Sequence, residues 1–573
     1  MLAAAVMELW PNTKRAIGPA IENGFYYDFD FGNVKISEDD LPKIEDKMVQ
    51  IVKSWDKFIR VEILWKDAQK MYSDNPYKLE LIQEFNKSGK KLTLYQSGDY
   101  SDLCRGGHIE NPAEELKHFK LLSAAGAYWR GSEKNKMLTR IYGTAWPTKE
   151  ELDKYLRQQE EVKKRDHRKI GKELELFTIS EEVGPGLVLW LPKGNIVKEE
   201  LEKWAKETEE KWGYQRVTTP NITKAGLFYT SGHLPYYKGD MYPPMKLDDG
   251  EEYYLKPMNC PHHHMIYAAK PRSYRDLPLR LAEYGTVYRY ESSGELFGLM
   301  RVRGMAQNDA HIYCTQEQAV DEFVDVMKLH EYYYRTLGIT EYHLELALRD
   351  PKNKTKYHGD SEMWKLAEKL MRQAVAKVKI KMVEEEGSAA FYGPKIDFIV
   401  HSSVGRQFAV STNQIDLYMG KRFNLKYTDA SGKEQTPVII HRAPLGSHER
   451  FIGFLIEHFG GAFPTWLAPV QAEIIPVSEK SLGYARKVAV KLSENSIRNH
   501  VDESGETVGK KIRETEKQKV TYMLIVGPKE EQNESVSVRA RGEVEIGPMP
   551  LGKFIDSISK EISSKSLKPL VKV

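Results

Sequence analysis

The chain has 573 residues, 41% hydrophobic and 29% charged, with a net charge of +3 and a pI near 8.3. That length spreads over several domains, each able to bury its own core, and so slight a positive charge neither demands nor forbids a nucleic-acid partner. No apolar run approaches the ~20 residues of a membrane span. The three cysteines, Cys104, Cys260 and Cys314, argue against a disulfide framework and for a reducing compartment, and Met1-Leu-Ala-Ala-Ala-Val-Met lacks the basic flank of a signal peptide. A cytoplasmic protein with no membrane partner is expected.

Residues 1–147 mix short strands with helices. Asp39–Lys57 reads as an amphipathic helix with Leu41, Ile44, Met48, Ile51 and Val52 on one stripe, and Leu92-Thr-Leu-Tyr as a strand. Ser101-Asp-Leu-Cys104-Arg-Gly-Gly-His108 sets a cysteine and a histidine four apart around two glycines: a metal half-site, a catalytic pair, or neither. Thr148 and Glu151 form a capping box after Pro147. They open a polar helix to His167 whose dense Glu, Lys and Arg suit a solvated connector, with a boundary over Arg168–Glu175.

Ile196–Gly213 reads as a helix with Val197, Leu201, Trp204 and Ala205 inward, and Pro220 follows a short strand. A β-rich run extends from Glu252 through Ile312, then a helix carries Phe323, Val324, Val326 and Met327. Strands resume at Lys381-Met-Val and Phe391–Val400. This alternation predicts an antiparallel sheet flanked by helices rather than a βαβ nucleotide fold, and the absence of Gly-x-x-x-x-Gly-Lys-Ser/Thr excludes a P-loop.

Within that run, Tyr288–His311 reads as two antiparallel strands joined by a glycine-punctuated loop. The period of two puts Arg289 and Glu291 on one face of the first strand, and Gln307, Asp309 and His311 on one face of the second. Arg301 and Arg303 lie in the loop. Arg–Glu pairs on strands are usually surface ion pairs of little worth; five polar groups converging from two strands form a floor for a charged ligand. Cys260, His311 and His441 are too far apart in sequence for any local zinc spacing, and spacing alone favours a buried cysteine and two satisfied histidines. The run His262-His263-His264, on a strand or turn, points in different directions and is taken as structural.

From about 466 the pattern changes. Ala472-Glu-Ile-Ile-Pro-Val is a strand, Lys480–Leu492 and Gly509–Lys517 are helices, and Tyr522-Met-Leu-Ile-Val-Gly is a fully buried strand. Together they predict a small α/β domain.

Arg289-x-Glu291, the basic-ended loop and the second strand resemble motif 2 of class II aminoacyl-tRNA synthetases. Gly446-Ser-His-Glu449-Arg450 resembles motif 3, and Pro220 suits motif 1. The wording Lys256-Pro-Met-Asn-Cys260-Pro, Arg301-Val-Arg-Gly and Asp309-Ala-His311 is similar to the threonyl-tRNA synthetase family, and the likeness runs along the whole chain. It implies an ATP-dependent threonine–tRNA ligase acting on L-threonine and tRNA(Thr), and a homodimer formed through the motif 1 region. The implied organisation is an α+β editing-type domain over 1–147, incomplete at its N-terminus, a linker helix over 148–175, a class II α+β catalytic domain over 176–465, and a small α/β anticodon-binding domain over 466–573.

The same resemblance implies one Zn2+ per chain on Cys260, His311 and His441, with Mg2+ accompanying ATP. It implies ATP contacts from Arg289, Glu291, Arg301, Glu449 and Arg450, and an amino-acid pocket of Met258, Gln307, Asp309, Tyr392 and Gln414. Arg289 and His233 are implied as catalytic, the latter toward the terminal ribose hydroxyl. Lys78, Cys104 and His108 match the family's editing residues, but its His-x-x-x-His pair is not in this sequence, so poor hydrolysis of seryl-tRNA is expected. Glu530 and Arg539 stand where the family reads the anticodon. Ala409 and Gly505 replace a glutamine and an asparagine of the family. Alternatives are a prolyl- or seryl-type synthetase, opposed by the Cys260/His311/His441 set, and a silent tRNA-binding relative, opposed by the intact arginines.

Overall fold

The computed structural model describes residues 1–573 other than 22, 90, 354–355, 379, 402–406 and 573, and the chain divides into two units, Met1–Glu160 and Glu161–Val573. In the first, α1 (Leu2–Leu9) and α2 (Leu41–Val52) cover a sheet whose strand β1 (Gly24–Asp30) buries Phe29 against them. Leu41, Ile44, Met48, Ile51 and Val52 are the buried residues of α2. The helix stops at Val52, short of the expected Lys57, where Ser54 and Trp55 turn back onto the carbonyls of Ile51 and Val52 and the Trp55 ring enters the core instead.

Strand β2 (Ile59–Ile63), helix α3 (Pro76–Lys87) and strands β3 (Leu92–Ser97) and β4 (Tyr100–Leu103) follow, with β3 central in a three-stranded sheet. Long strands β5 (His118–Tyr128) and β6 (Met137–Trp146) then complete the β1 sheet in the order β1-β6-β5. The expected capping box opens α4 (Lys149–Lys164), with the Glu151 backbone N–H donating to Thr148 Oγ1 at 3.2 Å and the Thr148 N–H to Glu151 Oε2 at 3.2 Å.

The second unit opens on the last residues of α4 and continues with α5 (His167–Glu173), a separate helix inside the 148–175 span expected as one linker helix, and then α6 (Pro192–Lys211). The latter starts earlier than its apolar stripe because Pro192 supplies a preset first-turn φ. Strand β7 (Gln215–Arg216), the short helix α7 (His233–Tyr236) and α8 (Cys260–Ala268) lead to β8 (Leu279–Tyr288) and β9 (Gly304–Cys314). The β-rich run is thus interrupted: Cys260 and the three histidines open a helix, not a strand or turn, with Pro261 in its first turn. Helix α9 (Ala319–Thr336), β10 (Tyr342–Leu348), α10 (Ser361–Lys377), β11 (Met382–Glu386), β12 (Lys395–His401), β13 (Gln407–Asp416), β14 (Val438–Ala443) and α11 (His448–Phe459) complete this part. The expected strand over Phe391–Val400 begins at Lys395, after Pro394, which cannot donate to a ladder.

Eight strands form one sheet in the order β7-β8-β9-β14-β13-β12-β10-β11, antiparallel except for the outer pairs β7/β8 and β10/β11. The antiparallel expectation therefore holds for the centre and not for the edges. Helices α6, α9, α10 and α11 contribute to its main core. Behind the central strands, the fully buried Arg442 reaches Glu209 of α6 at 2.8 Å, and Asn308 donates to the same carboxylate at 2.8 Å.

A five-stranded sheet follows, formed by β15 (Ala472–Pro476), β16 (Asn499–Val501), β17 (Tyr522–Val526), β18 (Ser535–Ala540) and β19 (Val544–Pro550) in the order β16-β15-β17-β18-β19. Helices α12 (Leu482–Glu494), α13 (Val508–Lys517), α14 (Pro528–Gln532) and α15 (Leu551–Ser563) accompany it. Parallel β15/β16 and β15/β17 pairs give the α/β character predicted.

Candidate active site

The β8–β9 hairpin positions the site. Register sets Glu283 opposite Asp309 and Gly285 opposite Gln307. β8 ends at Tyr288, so Arg289 and Glu291 lie past the strand rather than on it, although the Arg289 N–H still reaches the Arg303 carbonyl at 2.9 Å and prolongs the ladder by one rung. Alternation along β9 turns Gln307 and Asp309 into a cavity and Asn308 toward Arg442 and Glu209 behind the sheet. Across the neighbouring strands, His311, His441, Gln414 and Lys395 stand directly opposite one another in one row.

Arg289, Glu291, Arg301, Arg450, Met258, Cys260, Gln307, Asp309, Tyr392, Gln414 and His441 all line a single cavity of about 450 Å3. Lys395, Asp397 and Thr412 line it too and were not foreseen; their strand positions were readable, but not the register that brings them here. Ala409, the expected departure, is in the lining. Asp309 is aimed by the Asn259 amide, which donates to its Oδ2 at 3.1 Å, and the Tyr392 hydroxyl donates to Gln414 Oε1.

Arg289 donates through Nε to the Pro257 carbonyl at 3.3 Å. Arg301 is paired with Glu291 at 2.8 Å and Glu295 at 2.7 Å. Arg450 donates through Nε to the Met300 carbonyl at 2.9 Å, and burial together with Arg289 and Arg301 lowers its pKa. Its helix α11 is capped by Ser447 Oγ, and Gly446 before it has φ +54°, where a Cβ would stand 2.1 Å from the Val410 carbonyl oxygen. Only glycine fits that turn. Glu449 faces away from the cavity: its carboxylate is buried, accepts the Ala306 N–H at 3.0 Å, and burial raises its pKa to about 7.

His233 is also outside the lining. It opens α7 instead of sitting in an exposed loop, is 2% exposed, has Nδ1 2.7 Å from Ser231 Oγ, and burial followed by the Arg289 charge lowers its pKa to about 3.

Cys260, His311 and His441 carry ligand atoms that all lie within 4.8 Å of one another. The outer nitrogens of both rings are occupied. His311 Nδ1 is 2.8 Å from His263 Nδ1, whose Nε2 is 3.1 Å from Glu283 Oε2, and His441 Nε2 is 3.0 Å from Asp416 Oδ2. The inner nitrogens, His311 Nε2 and His441 Nδ1, are buried with no hydrogen-bond partner. Orphaned imidazole nitrogens beside a thiol, each ring steadied from behind, are the donor set and orientation of a three-ligand zinc site. On helix α8, His263 thus supports His311, and His264 Nδ1 meets the Tyr313 hydroxyl at 2.9 Å.

A second group, Asp166, His167 and Glu457, also has metal-compatible spacing, but both His167 nitrogens are hydrogen-bonded. A larger cavity, about 780 Å3, is lined by Leu174, Phe463, His500 and Gln518 among others. Several of its charged groups are tied to neighbours, Lys193 to Glu175, Arg498 to Glu200 and His500 to Glu473.

In the first unit Lys78 is buried and bonded to Asp102 Oδ1 at 2.9 Å and to the Tyr27 hydroxyl at 3.3 Å. Asp102, not foreseen, also accepts from the hydroxyls of Tyr72 at 3.1 Å and Tyr100 at 3.2 Å. Burial lowers the Lys78 pKa. Cys104 Sγ accepts the Gly106 N–H at 3.5 Å, whereas exposed His108 packs on Phe58 and Tyr95, and no hydrogen bond joins it to Cys104 or Lys78 among the described residues. Glu530 caps α14 through the Gly527 N–H at 2.9 Å, and Arg539 is half-buried on β18.

Three family descriptions match: "tRNA synthetase class II core domain (G, H, P, S and T)" over residues 242–459, "Anticodon binding domain" over 471–561, and "Threonyl and Alanyl tRNA synthetase second additional domain" over 92–142. The threonine–tRNA ligase of Cytophaga hutchinsonii is 49% identical over 568 residues, 99% of this chain and 88% of that protein. That of a Thermus thermophilus strain is 49% identical over 585 residues, 100% of this chain and 88% of its own. Among solved structures, the RNA binding domain of threonyl-tRNA synthetase from Cryptosporidium parvum aligns with TM-score 0.66 and 38% identity, covering 69% of this chain and 98% of its own. Prolyl-tRNA synthetase from the same organism, at 18% identity and TM-score 0.53 over 69% and 74%, is alike in fold only.

Proposed function

The chain belongs to the threonine–tRNA ligase family of class II aminoacyl-tRNA synthetases, and from that premise we propose how its residues divide the work. The enzyme joins L-threonine to tRNA at the expense of ATP, which class II chemistry takes with Mg2+. The observation that carries the residue assignment is the cavity that Arg289, Arg301 and Arg450 share with Cys260, Asp309 and His441.

In the first step the threonine carboxylate attacks the α-phosphate and negative charge spreads over phosphoryl oxygens, so preset cations govern the rate. Arg289, with no carboxylate partner among the described residues, takes the α-phosphate side. Arg301, already balanced by Glu291 and Glu295, takes the γ-phosphate side as those carboxylates yield. Arg450 clamps the nucleotide with a planar fork that lysine lacks. Glu449 shapes the loop floor through Ala306.

A zinc ion on Cys260, His311 and His441 would supply Lewis-acid positions for the amine and β-hydroxyl of threonine. Asp309, held by Asn259, accepts from that hydroxyl, and Gln307, Met258, Tyr392 and Gln414 close around the amino acid. Valine, which lacks the hydroxyl, is refused by more than the ~100-fold that apolar packing gives. His233 stays neutral and offers Nε2 as an acceptor toward the terminal ribose hydroxyl in the transfer step. Glu530 and Arg539 read the anticodon, and a cytoplasmic homodimer pairs through the Pro220 segment. With His108 unconnected to Cys104 and Lys78, seryl-tRNA hydrolysis by the first unit is slow.

Amino-acid-dependent ATP–pyrophosphate exchange over threonine, serine, valine and proline tests this assignment. Threonine strongly preferred, serine detectable and valine silent is expected; valine within about tenfold of threonine would remove the hydroxyl-reading site.

A further inference from the structure

His167 lies outside the cavity lining and the zinc set, yet it is fully buried and both its ring nitrogens are engaged. Its Nδ1 is 2.8 Å from Glu457 Oε1 on α11, and its Nε2 is 3.1 Å from the backbone nitrogen of Leu299 in the loop between β8 and β9. A backbone N–H can only donate, so Nε2 is the acceptor, and the ring proton sits on Nδ1 facing the carboxylate. The ring is a neutral, oriented link from α11 to the loop.

The loop is shaped to receive it. Gly298 has φ +49°, and a Cβ there would stand 2.2 Å from His167 Nε2 and 2.8 Å from Arg168 Cγ. Phe297 meets the His167 ring edge-on at 5.5 Å, and the Arg168 guanidinium covers Phe297 at 4.3 Å. Leu299 is fully buried, and the next carbonyl, Met300, accepts from Arg450 Nε at 2.9 Å. Arg301 comes immediately after.

Arg450, Gly453 and Glu457 are spaced i, i+3, i+7 and so share one face of α11. Arg450 holds Met300, a Cβ at Gly453 would come within 3.0 Å of Leu299 Cβ, and Glu457 acts through His167 on the Leu299 N–H. Two successive loop residues are fixed to one helix face just before Arg301.

We propose that His167 is a positioning residue for adenylate formation, whose acceptor nitrogen sets the pose of the Leu299–Arg301 segment and thereby of Arg301 and Arg450 on ATP. It touches neither substrate.

Isosteric amides separate this role from packing. In His167→Gln the side-chain oxygen reaches the Nε2 position and can still accept from Leu299. In His167→Asn the amide reaches only the Nδ1 position, keeping the Glu457 contact and losing the Leu299 one. In the full-length protein, threonine-dependent exchange gives KM for ATP, KM for threonine and kcat, and hydrogen exchange read by mass spectrometry follows the peptide over 297–303. His167→Asn is expected to lose about tenfold or more in kcat/KM for ATP, with KM for threonine within about twofold, and to exchange faster over 297–303. His167→Gln is expected to stay within about threefold of the parent. Equal losses in the two variants, a loss borne equally by ATP and threonine, or unchanged exchange over 297–303 in His167→Asn would each overturn the proposal. If both variants unfold, Glu457→Gln, which can still accept from Nδ1–H, provides the second reading. Near-parental ATP kinetics then support the relay, and a tenfold loss counts against it.

Discussion

Arg289→Ala separates catalysis from folding in a single substitution. Arg289 lines the cavity, gives one long hydrogen bond to the Pro257 carbonyl at 3.3 Å, and has no carboxylate partner among the described residues. Removing it leaves no buried carboxylate uncompensated. The stability cost is that of one modest hydrogen bond, about 1 kcal/mol or less. The rate cost is that of a preset charge partner of the transition state, about 3 to 4 kcal/mol, or roughly 100- to 1,000-fold. Urea unfolding monitored by circular dichroism reads the first quantity and threonine-dependent ATP–pyrophosphate exchange the second. Arg289→Lys should recover only part of the rate, because a point charge replaces a two-donor fork. A rate loss under about tenfold, or an unfolding free energy lowered by about 3 kcal/mol or more, would show Arg289 to be structural and refute the reasoning.

The remaining expectations address other parts of the molecule. Arg442→Met takes the buried guanidinium from Glu209, which keeps Arg216 and the Asn308 amide, and should cost about 1.5 to 3 kcal/mol in urea unfolding, as for a hydrogen bond to a charged group; a cost under about 1 kcal/mol would contradict the buried pair. Glu449, raised from the ordinary 4.5 to about 7, favours its protonated form in the fold. Its contribution is full below pH 4.5 and fades as pH rises through 7, totalling about 3 kcal/mol. Melting temperatures from about pH 4.5 to 7.5 should fall in the parent relative to Glu449→Gln, and parallel curves would refute this. His233, lowered to about 3, stays neutral at working pH, so single-turnover transfer to tRNA should show no inflection between about pH 5 and 8 that His233→Ala removes. Deacylation of preformed seryl-tRNA should be slow and within about threefold in His108→Ala, whereas fast hydrolysis that depends on His108 would overturn the first-unit reading.

Local pattern made much of this legible in the sequence. The stripe of α2 and the Thr148/Glu151 capping box depend on neighbours within one or two turns, and they form as read. Alternation along β9 likewise separates Gln307 and Asp309 from Asn308. What was hidden depends on register between distant strands. The row His311–His441–Gln414–Lys395 joins four strands, and periodicity within any one of them cannot reveal Lys395 as a neighbour of the site. The supports behind the metal ligands, His263, Glu283 and Asp416, were hidden for the same reason. The histidine run was misread as strand or turn because the apolar pattern around it is weak, while Pro261 in the first turn starts a helix. Asp102 escaped notice because an aspartate two residues before a cysteine carries no signal until Lys78 and three tyrosines close on it.

Metal content coupled to threonine activation tests the central claim most directly. Purified protein should hold about one zinc per chain. Cys260→Ser should lose that zinc and threonine-dependent exchange together, while remaining folded by circular dichroism. Zinc retained at one equivalent in Cys260→Ser, or full threonine activation by zinc-free protein, would contradict the account.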